Sequence, residues 1–145
     1  MKVCLILGIV IVLIFTPAVL RAGDDTIVVI SLVKPNEKIT AGMLKGIYLK
    51  KKVFWKDEMR IIPVNLSPQN EIRNIFSKKI LSMEHRELVE YWNEQYFKGI
   101  TPPPVLESEE AVKRFVIEVD GAIGYIRKKN LEPGLEVLYT IEVEK

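Results

Sequence analysis

A strand that turns directly into a helix is predicted by Ile-Ile-Pro-Val-Asn-Leu-Ser-Pro-Gln-Asn-Glu-Ile-Arg-Asn-Ile-Phe, residues 61–76. Further along, Gly-Ala-Ile-Gly-Tyr-Ile at residues 121–126 has the composition of another strand. The first N–H groups of a helix have no intrahelical partner, and the helix dipole is positive at that end. Since α/β proteins commonly hold anions at such a turn, its chemistry bears directly on function.

Apolar patterns predict the remaining elements. We expect strands over 26–33, 60–64, 122–126 and 135–143. We expect helices over 41–48, 68–79 and 109–119, and a further one that begins at 82 or 83 and ends at 98. Thr40, Ser67 and Ser108 are the expected N-caps of the first, second and last helix, and Pro68 follows Ser67 as a first helical residue. The order β-α-β-α-α-α-β-β indicates a three-layer α/β domain with a mainly parallel sheet, and it leaves room for an antiparallel edge strand.

Residues 1–22 are predicted to be a secretory signal peptide. The second residue is basic, Val3–Phe15 is an unbroken apolar run, and Ala22 offers a small residue at a cleavage site. A retained membrane anchor is the alternative, because the apolar stretch that ends at Leu20 is nearly long enough to span a bilayer. The sequence therefore predicts a periplasmic protein with a single domain at 23–145.

The charge balance of the exported part is neutral. Removing Lys2 and Arg21 from the 21 basic residues leaves 19, which equals the 19 acidic residues. Nucleic-acid binding normally needs a basic excess that displaces counterions from phosphates, so this class of partner is disfavoured. The one cysteine, Cys4, lies inside the predicted signal, so the exported part can form no disulfide. This is typical of a Gram-negative periplasmic protein rather than a disulfide-rich extracellular module.

Five motifs follow one another along the chain: Gly46-Ile47-Tyr48, Trp55-Lys56-Asp57, Ile62-Pro63-Val64-Asn65, Arg73 to Phe76, and Gly121 to Tyr125. Their order and spacing resemble the phosphate-binding components of ABC transporters, which are type 2 periplasmic binding proteins. The resemblance covers residues 27–126. It implies a single lobe of the type 2 periplasmic-binding-protein-like fold and a role in ABC transporter substrate binding.

The same resemblance implies a degenerate anion site. Family members that carry phosphate follow Pro-Val-Asn with an arginine and then a Ser-Gly-Thr segment that grips the anion. Here Leu66 stands in place of the arginine, and Asn70-Glu71-Ile72 stands in place of Ser-Gly-Thr. Pro68 has no N–H group and Glu71 brings a negative charge to the helix start, so both oppose an anion. The family also clamps its solute between two such lobes, whereas this chain supplies one.

Ser67, Gln69 and Asn70 are the candidate ligand-binding residues. Their side chains can hydrogen-bond a neutral or carbonyl-bearing ligand at the turn. The competing interpretation, which we favour, is helix capping by side chains that face water. Gly121 and Gly124 are expected to be structural, since glycine permits a tight turn and close packing.

Two surfaces are candidates for contact with a partner. Lys50–Lys52, with Lys56 and Arg60, can dock an acidic protein or anionic head groups, although a solvated loop is the favoured interpretation. On the third helix, Leu88, Trp92 and Tyr96 are spaced by four, and we place Trp92 and Tyr96 in the core. Tyr91 or Phe97 then borders an exposed contact patch with Pro102–Pro104.

Catalysis and metal binding are disfavoured. The single histidine, His85, is predicted to be exposed, and the exported part has no cysteine, so we expect no transition-metal site and no cofactor. The sequence shows no Ser-His-acid arrangement, no Gly-rich phosphate loop and no strongly placed carboxylate pair. We therefore expect a protein that is not an enzyme.

Two functional hypotheses remain open. In the first, the chain is an exported solute-binding-like protein that serves a transporter and binds a small anion or other solute weakly if at all. In the second, it is a periplasmic scaffold or adaptor of an envelope machine, with a protein partner or as a homo-oligomer. In both, membrane contact is limited to the N-terminal segment if that segment is uncleaved. The motifs favour the first hypothesis, and residues 66–72 favour the second.

Overall fold

The first apolar run forms a strand inside a four-stranded sheet, as its composition predicts. The computed structural model describes residues 26–143, so the predicted signal segment 1–22 lies outside the described part of the chain. All five residues of this strand, Ile27–Ser31, are buried. Because both of its faces are covered, the strand needs no polar residue at alternate positions.

Six strands and four α-helices make up the described part of the chain. The strands are β1 (Ile27–Ser31), β2 (Ile62–Pro63), β3 (Asn65–Leu66), β4 (Val105–Leu106), β5 (Ala122–Arg127) and β6 (Glu136–Ile141). The helices are α1 (Ala41–Tyr48), α2 (Glu71–Phe76), α3 (His85–Tyr96) and α4 (Glu109–Glu118). A π-helical segment, Ser77–Leu81, continues α2, and a 3₁₀ turn, Lys128–Asn130, follows β5.

The main sheet has the strand order β2-β5-β1-β6, and three of its four strands point in one direction. β2 pairs parallel with β5, whereas β1 pairs antiparallel with both β5 and β6. The prediction of a mainly parallel sheet is therefore confirmed for strand direction. The expected position of the antiparallel strand is wrong, because β1 lies inside the sheet and not at its edge.

Helices cover both faces of the sheet, which confirms the predicted three-layer α/β arrangement. α4 packs on one face, where a Cβ atom on Gly124 would overlap the side chain of Val112. Neighbouring residues of a strand point to opposite faces, so Tyr125 lies on the other side. There its ring contacts Tyr48 at the end of α1 and Phe76 at the end of α2. Gly124 is thus structural, as expected.

The caps of α1 and α4 are those the sequence predicts. The Thr40 hydroxyl accepts a hydrogen bond from the N–H of Met43 at 3.2 Å. The Ser108 hydroxyl accepts one from the N–H of Ala111 at 3.1 Å. Each side chain satisfies an N–H group that the helix itself leaves without a partner.

A short parallel pair, β3 with β4, was not predicted from sequence. Asn65 and Leu66 pair with Val105 and Leu106, and the N–H of Asn65 donates to the carbonyl of Pro104 at 2.8 Å. This pairing fixes the end of the strand that leads into the candidate turn. Within residues 26–143, none of the helices is both long and apolar enough to cross a bilayer.

Candidate functional site

The candidate turn lies between β3 and α2, and its helix begins later than predicted. The expectation of Ser67 as N-cap and Pro68 as first helical residue is wrong. α2 begins at Glu71, and its N-cap is Asn70, whose side-chain oxygen accepts from the N–H of Ile72 at 3.0 Å. The N–H of Asn70 itself donates to the carbonyl of Ser67 at 2.9 Å. Two of the amides that could meet an anion are therefore already hydrogen-bonded within the protein.

The three candidate ligand residues are brought together, but they bond to the turn itself. The Ser67 hydroxyl donates to the side-chain oxygen of Gln69. Asn70 is occupied as the helix cap. These contacts are the local capping and turn-forming bonds typical of such side chains. Ligand binding by Ser67, Gln69 and Asn70 stays a prediction.

Leu66 and Arg73 close the inner side of the turn. The Leu66 side chain is fully buried, so it cannot face a ligand. The Leu66 carbonyl accepts from Nη1 of Arg73 at 2.6 Å, which holds the half-buried guanidinium against the end of β3. Sequence reasoning did not single out this arginine as a site residue, because the hydrogen bond depends on the path of the turn between them.

A buried aromatic cluster supports the strand end. The Tyr125 hydroxyl donates to Oδ1 of Asn65 at 3.1 Å and accepts from the N–H of Leu66 at 3.4 Å. Its ring stacks on Phe76 with centroids 4.1 Å apart. Burial raises the pKa of the Tyr125 hydroxyl, and the nearby charge of Arg73 acts in the opposite direction. The hydroxyl therefore stays protonated and able to donate.

A charged cluster lies beside the start of α2. Arg127 bonds Glu71 at 3.0 Å and Glu109 at 2.6 Å through its two terminal nitrogens. Glu109 also accepts from the backbone N–H of Arg127 at 2.7 Å and from the Asn130 amide at 2.8 Å. Burial alone would raise the pKa of Glu109, but these hydrogen bonds outweigh it and lower the pKa. Arg127 therefore offsets part of the Glu71 charge at the start of α2.

The lowered pKa of Glu109 predicts a specific pH dependence of stability. We expect Glu109→Gln to reduce the free energy of unfolding at neutral pH by about 1–2 kcal/mol, because three hydrogen bonds lose a charged acceptor. A carboxylate whose pKa is lowered by folding contributes stability above its unfolded value of about 4.3, and this contribution is lost as the pH falls through the folded value. The difference between the two proteins should therefore shrink on acidification below about pH 4.3.

Urea unfolding at a series of pH values measures this effect. Glu107→Gln is the matched control, because Glu107 is an exposed carboxylate two residues away. It should change stability by less than about 0.5 kcal/mol at any pH. If Glu109→Gln lowers the free energy of unfolding by the same amount at every pH, the stabilising role given to the Glu109 carboxylate is wrong.

The basic loop lies away from the turn. Lys52 pairs with Glu37 at 3.4 Å and lies over the Trp55 ring at 5.9 Å from its centroid. Partial burial, together with the charge of Arg60, lowers the pKa of Lys50. Phe54 on the same loop is 52% exposed. Binding of an acidic partner or of lipid head groups by this loop stays a prediction.

An apolar groove of about 480 Å³ lies beside the turn. We call it the α3 groove, because α3 forms one wall. The opposite walls come from the start of α2, the π-helical segment and the proline run before β4. Its lining includes Arg73, Met83, Leu88, Trp92, Pro102 and Pro103. The sequence analysis missed this groove because its residues come from separate segments that only the fold brings together.

The aromatic residues of α3 are only partly placed as predicted. Tyr91 turns inward and donates from its hydroxyl to the carbonyl of Leu49 at 2.7 Å. Trp92 is half-buried against the α3 groove. The core position predicted for Tyr96 is wrong, since it is 70% exposed, and Phe97 is 89% exposed. Of the two candidates Tyr91 and Phe97, it is therefore Phe97 that is placed to border a contact patch. Tyr96 is exposed beside it.

His85 is exposed at the first position of α3, as predicted. Among residues 26–143, no group of three or more His, Cys, Asp or Glu side chains is placed to hold a metal ion. The expectation that the protein needs no metal or cofactor stays a prediction.

Solved structures share this arrangement of strands and helices. A phosphate ABC transporter substrate-binding protein from Clostridium perfringens, solved with bound phosphate, matches with a TM-score of 0.62 and 20% identity. The present chain thus shares its fold with a phosphate-binding protein. An ABC-type phosphate transport receptor from Vibrio cholerae matches with a TM-score of 0.60 and 17% identity. PstS from Borrelia burgdorferi matches with a TM-score of 0.59 and 19% identity.

The likeness to phosphate-binding proteins covers 79% of this chain and 45–46% of each of those chains. The chain therefore spans slightly less than half the length of these structures. At this level of identity the likeness establishes the fold. No protein-family model and no curated protein matches the sequence.

Proposed function

We propose that this chain is an exported, solute-binding-like protein whose anion site is degenerate and does not hold phosphate at the turn. The observation that carries the proposal is the set of hydrogen bonds inside the turn. Asn70 caps Ile72, Ser67 bonds Gln69, and Arg73 bonds the Leu66 carbonyl. An arriving phosphate would have to displace these bonds and approach the carboxylate of Glu71.

Isothermal titration calorimetry with inorganic phosphate tests this proposal. We expect no measurable heat at moderate salt, because the turn offers few free donors and one nearby acid. Asn70→Ser with Glu71→Gly moves residues 70–72 closer to the Ser-Gly-Thr segment implied by the resemblance, and any gain in phosphate binding should appear first in this variant. Micromolar binding by the unmodified protein would overturn the proposal.

Export is tested by fractionating the cells that produce the protein. The apolar run Val3–Phe15 and the small residue Ala22 support transport across the inner membrane followed by cleavage. The protein should be released from the periplasm by osmotic shock, with Gly23 at its N-terminus. Retention in the membrane fraction at full length would favour the uncleaved anchor instead.

A scaffold or adaptor role is the second candidate, and one observation favours it. Tyr96 and Phe97 lie side by side at the end of α3, 70% and 89% exposed, with ring centroids 6.3 Å apart. Exposed aromatic residues are enriched at protein interfaces. In this role the lobe would act through a protein partner or a second copy of itself, without a solute.

A further inference from the structure

We propose that the α3 groove binds a small carboxylic acid with an apolar or aromatic body, and that Arg73 receives the carboxylate. The proposal goes beyond the proposed function, because the groove lies beside the turn and takes a different class of ligand. Its test therefore succeeds or fails independently of phosphate binding at residues 67–72.

The charge of Arg73 points to an anionic ligand. Within residues 26–143, this half-buried guanidinium makes one hydrogen bond, from Nη1 to the Leu66 carbonyl, and no ion pair. A partly buried charge is costly without a partner of opposite sign. Its remaining N–H groups can form the paired hydrogen bonds by which arginine binds a carboxylate. Lys78, the other cation at the groove, already pairs with Glu84 at 3.3 Å.

The walls of the α3 groove point to an apolar body on the same ligand. Leu88, Trp92, Met83 and Pro103 line the same groove as Arg73. An inorganic oxyanion would meet the cation but leave these walls in contact with water. An aromatic or aliphatic body would cover them, and that burial would add to the charge interaction.

The size of the α3 groove points to a small molecule rather than a protein segment. Its volume of about 480 Å³ falls in the range of about 300–1,000 Å³ that is usual for small-ligand pockets. Arg73 adds a cation to this lining, which suits a ligand with one charged end. Trp92 lines the groove and can stack on an aromatic body.

A pair of matched compounds tests the inference: 3-phenylpropionate and its uncharged amide, 3-phenylpropionamide. Binding is followed by NMR through the indole N–H signals of the two tryptophans. Trp92 should report binding, whereas Trp55, which is buried and does not line the groove, serves as the internal reference. We expect the acid to bind in the millimolar range or tighter, and the amide to bind about tenfold to a hundredfold more weakly.

Variants of the two groove cations sharpen the result. Arg73→Gln should remove the preference for the acid, while Lys78→Gln should retain it, because Lys78 is exposed and already paired. Since Arg73→Gln also loses the bond to Leu66, its fold is checked by circular dichroism. If Arg73→Gln does not fold, the comparison of the acid with the amide on the unmodified protein still tests the proposal. Equal binding of acid and amide, absence of binding by both, or a response at Trp55 alone would each overturn the proposal.

Discussion

Replacing Gly121 with alanine is expected to lower the free energy of unfolding by about 2–5 kcal/mol. Gly121 has φ +75, a left-handed conformation that side-chain-bearing residues rarely adopt. A Cβ atom there would also overlap the backbone carbonyl oxygen of Arg60. That backbone cannot move freely, because the N–H of Ile62 donates to the Gly121 carbonyl at 2.9 Å in the pairing of β2 with β5.

Gly99 provides a matched control for this prediction. It has the same φ of +75, but nothing lies within 4 Å of a Cβ atom placed on it. Gly99→Ala should therefore show the backbone strain alone, about 1–2 kcal/mol. Chemical denaturation of both variants separates the strain from the steric overlap. Equal losses in the two would show that β2 and β5 can separate at little cost, contrary to the close approach of Gly121 to the Arg60 carbonyl.

The elements predicted well from sequence are those whose signals act within a few residues. Thr40 and Ser108 cap helices through bonds to an N–H group three residues later, so the local sequence contains both partners. The continuous apolar run of β1 likewise reveals its burial without knowledge of its neighbours. This run does not reveal, however, whether β1 is parallel or antiparallel to its neighbouring strands. The antiparallel pairing of β1 depends on strands about a hundred residues away, which its own composition cannot specify.

The start of α2 was mispredicted because two sets of capping signals compete. Ser67 and Pro68 form a strong N-terminal signal, but Asn70 is an equally good cap three residues later. In the structure, the Ser67 hydroxyl bonds Gln69 instead of a helix amide, and the chain makes a turn before Glu71. The pairing of β3 with β4 fixes the direction in which the chain leaves the sheet, and this contact is not visible locally.

Only the part of the candidate site that is contiguous in sequence was predicted. The turn at 65–70 is contiguous, so the sequence predicted its location. The α3 groove and the Arg127 cluster combine residues from separate segments, and no spacing rule joins them. Helical periodicity placed Trp92 and Tyr96 of α3 in the core, but Tyr96 is exposed and Tyr91 turns inward. That choice follows from the bond between Tyr91 and the Leu49 carbonyl, 42 residues apart.

Phe76→Ala is expected to cost about 3–5 kcal/mol of unfolding free energy, the usual range for truncating a buried phenylalanine. Phe76 is fully buried, and its ring lies 4.6 Å from Tyr48 and 4.1 Å from Tyr125, centroid to centroid. Its loss leaves a cavity between the sheet and α2 and removes two aromatic pairs. Phe97→Ala is the same chemical change at a side chain that is 89% exposed, and it should alter stability by less than about 0.5 kcal/mol.

The effect of Phe76→Ala should also reach the candidate turn. The ring of Phe76 holds Tyr125, and the Tyr125 hydroxyl bonds both the Asn65 side chain and the N–H of Leu66. Without that support, the Leu66 amide should exchange with solvent faster relative to amides in β1, which lies at the centre of the sheet. Hydrogen exchange followed by NMR measures this ratio under conditions where both proteins stay folded. A uniform increase at Leu66 and β1 alike would mean that Phe76 contributes only to global stability and does not position the turn.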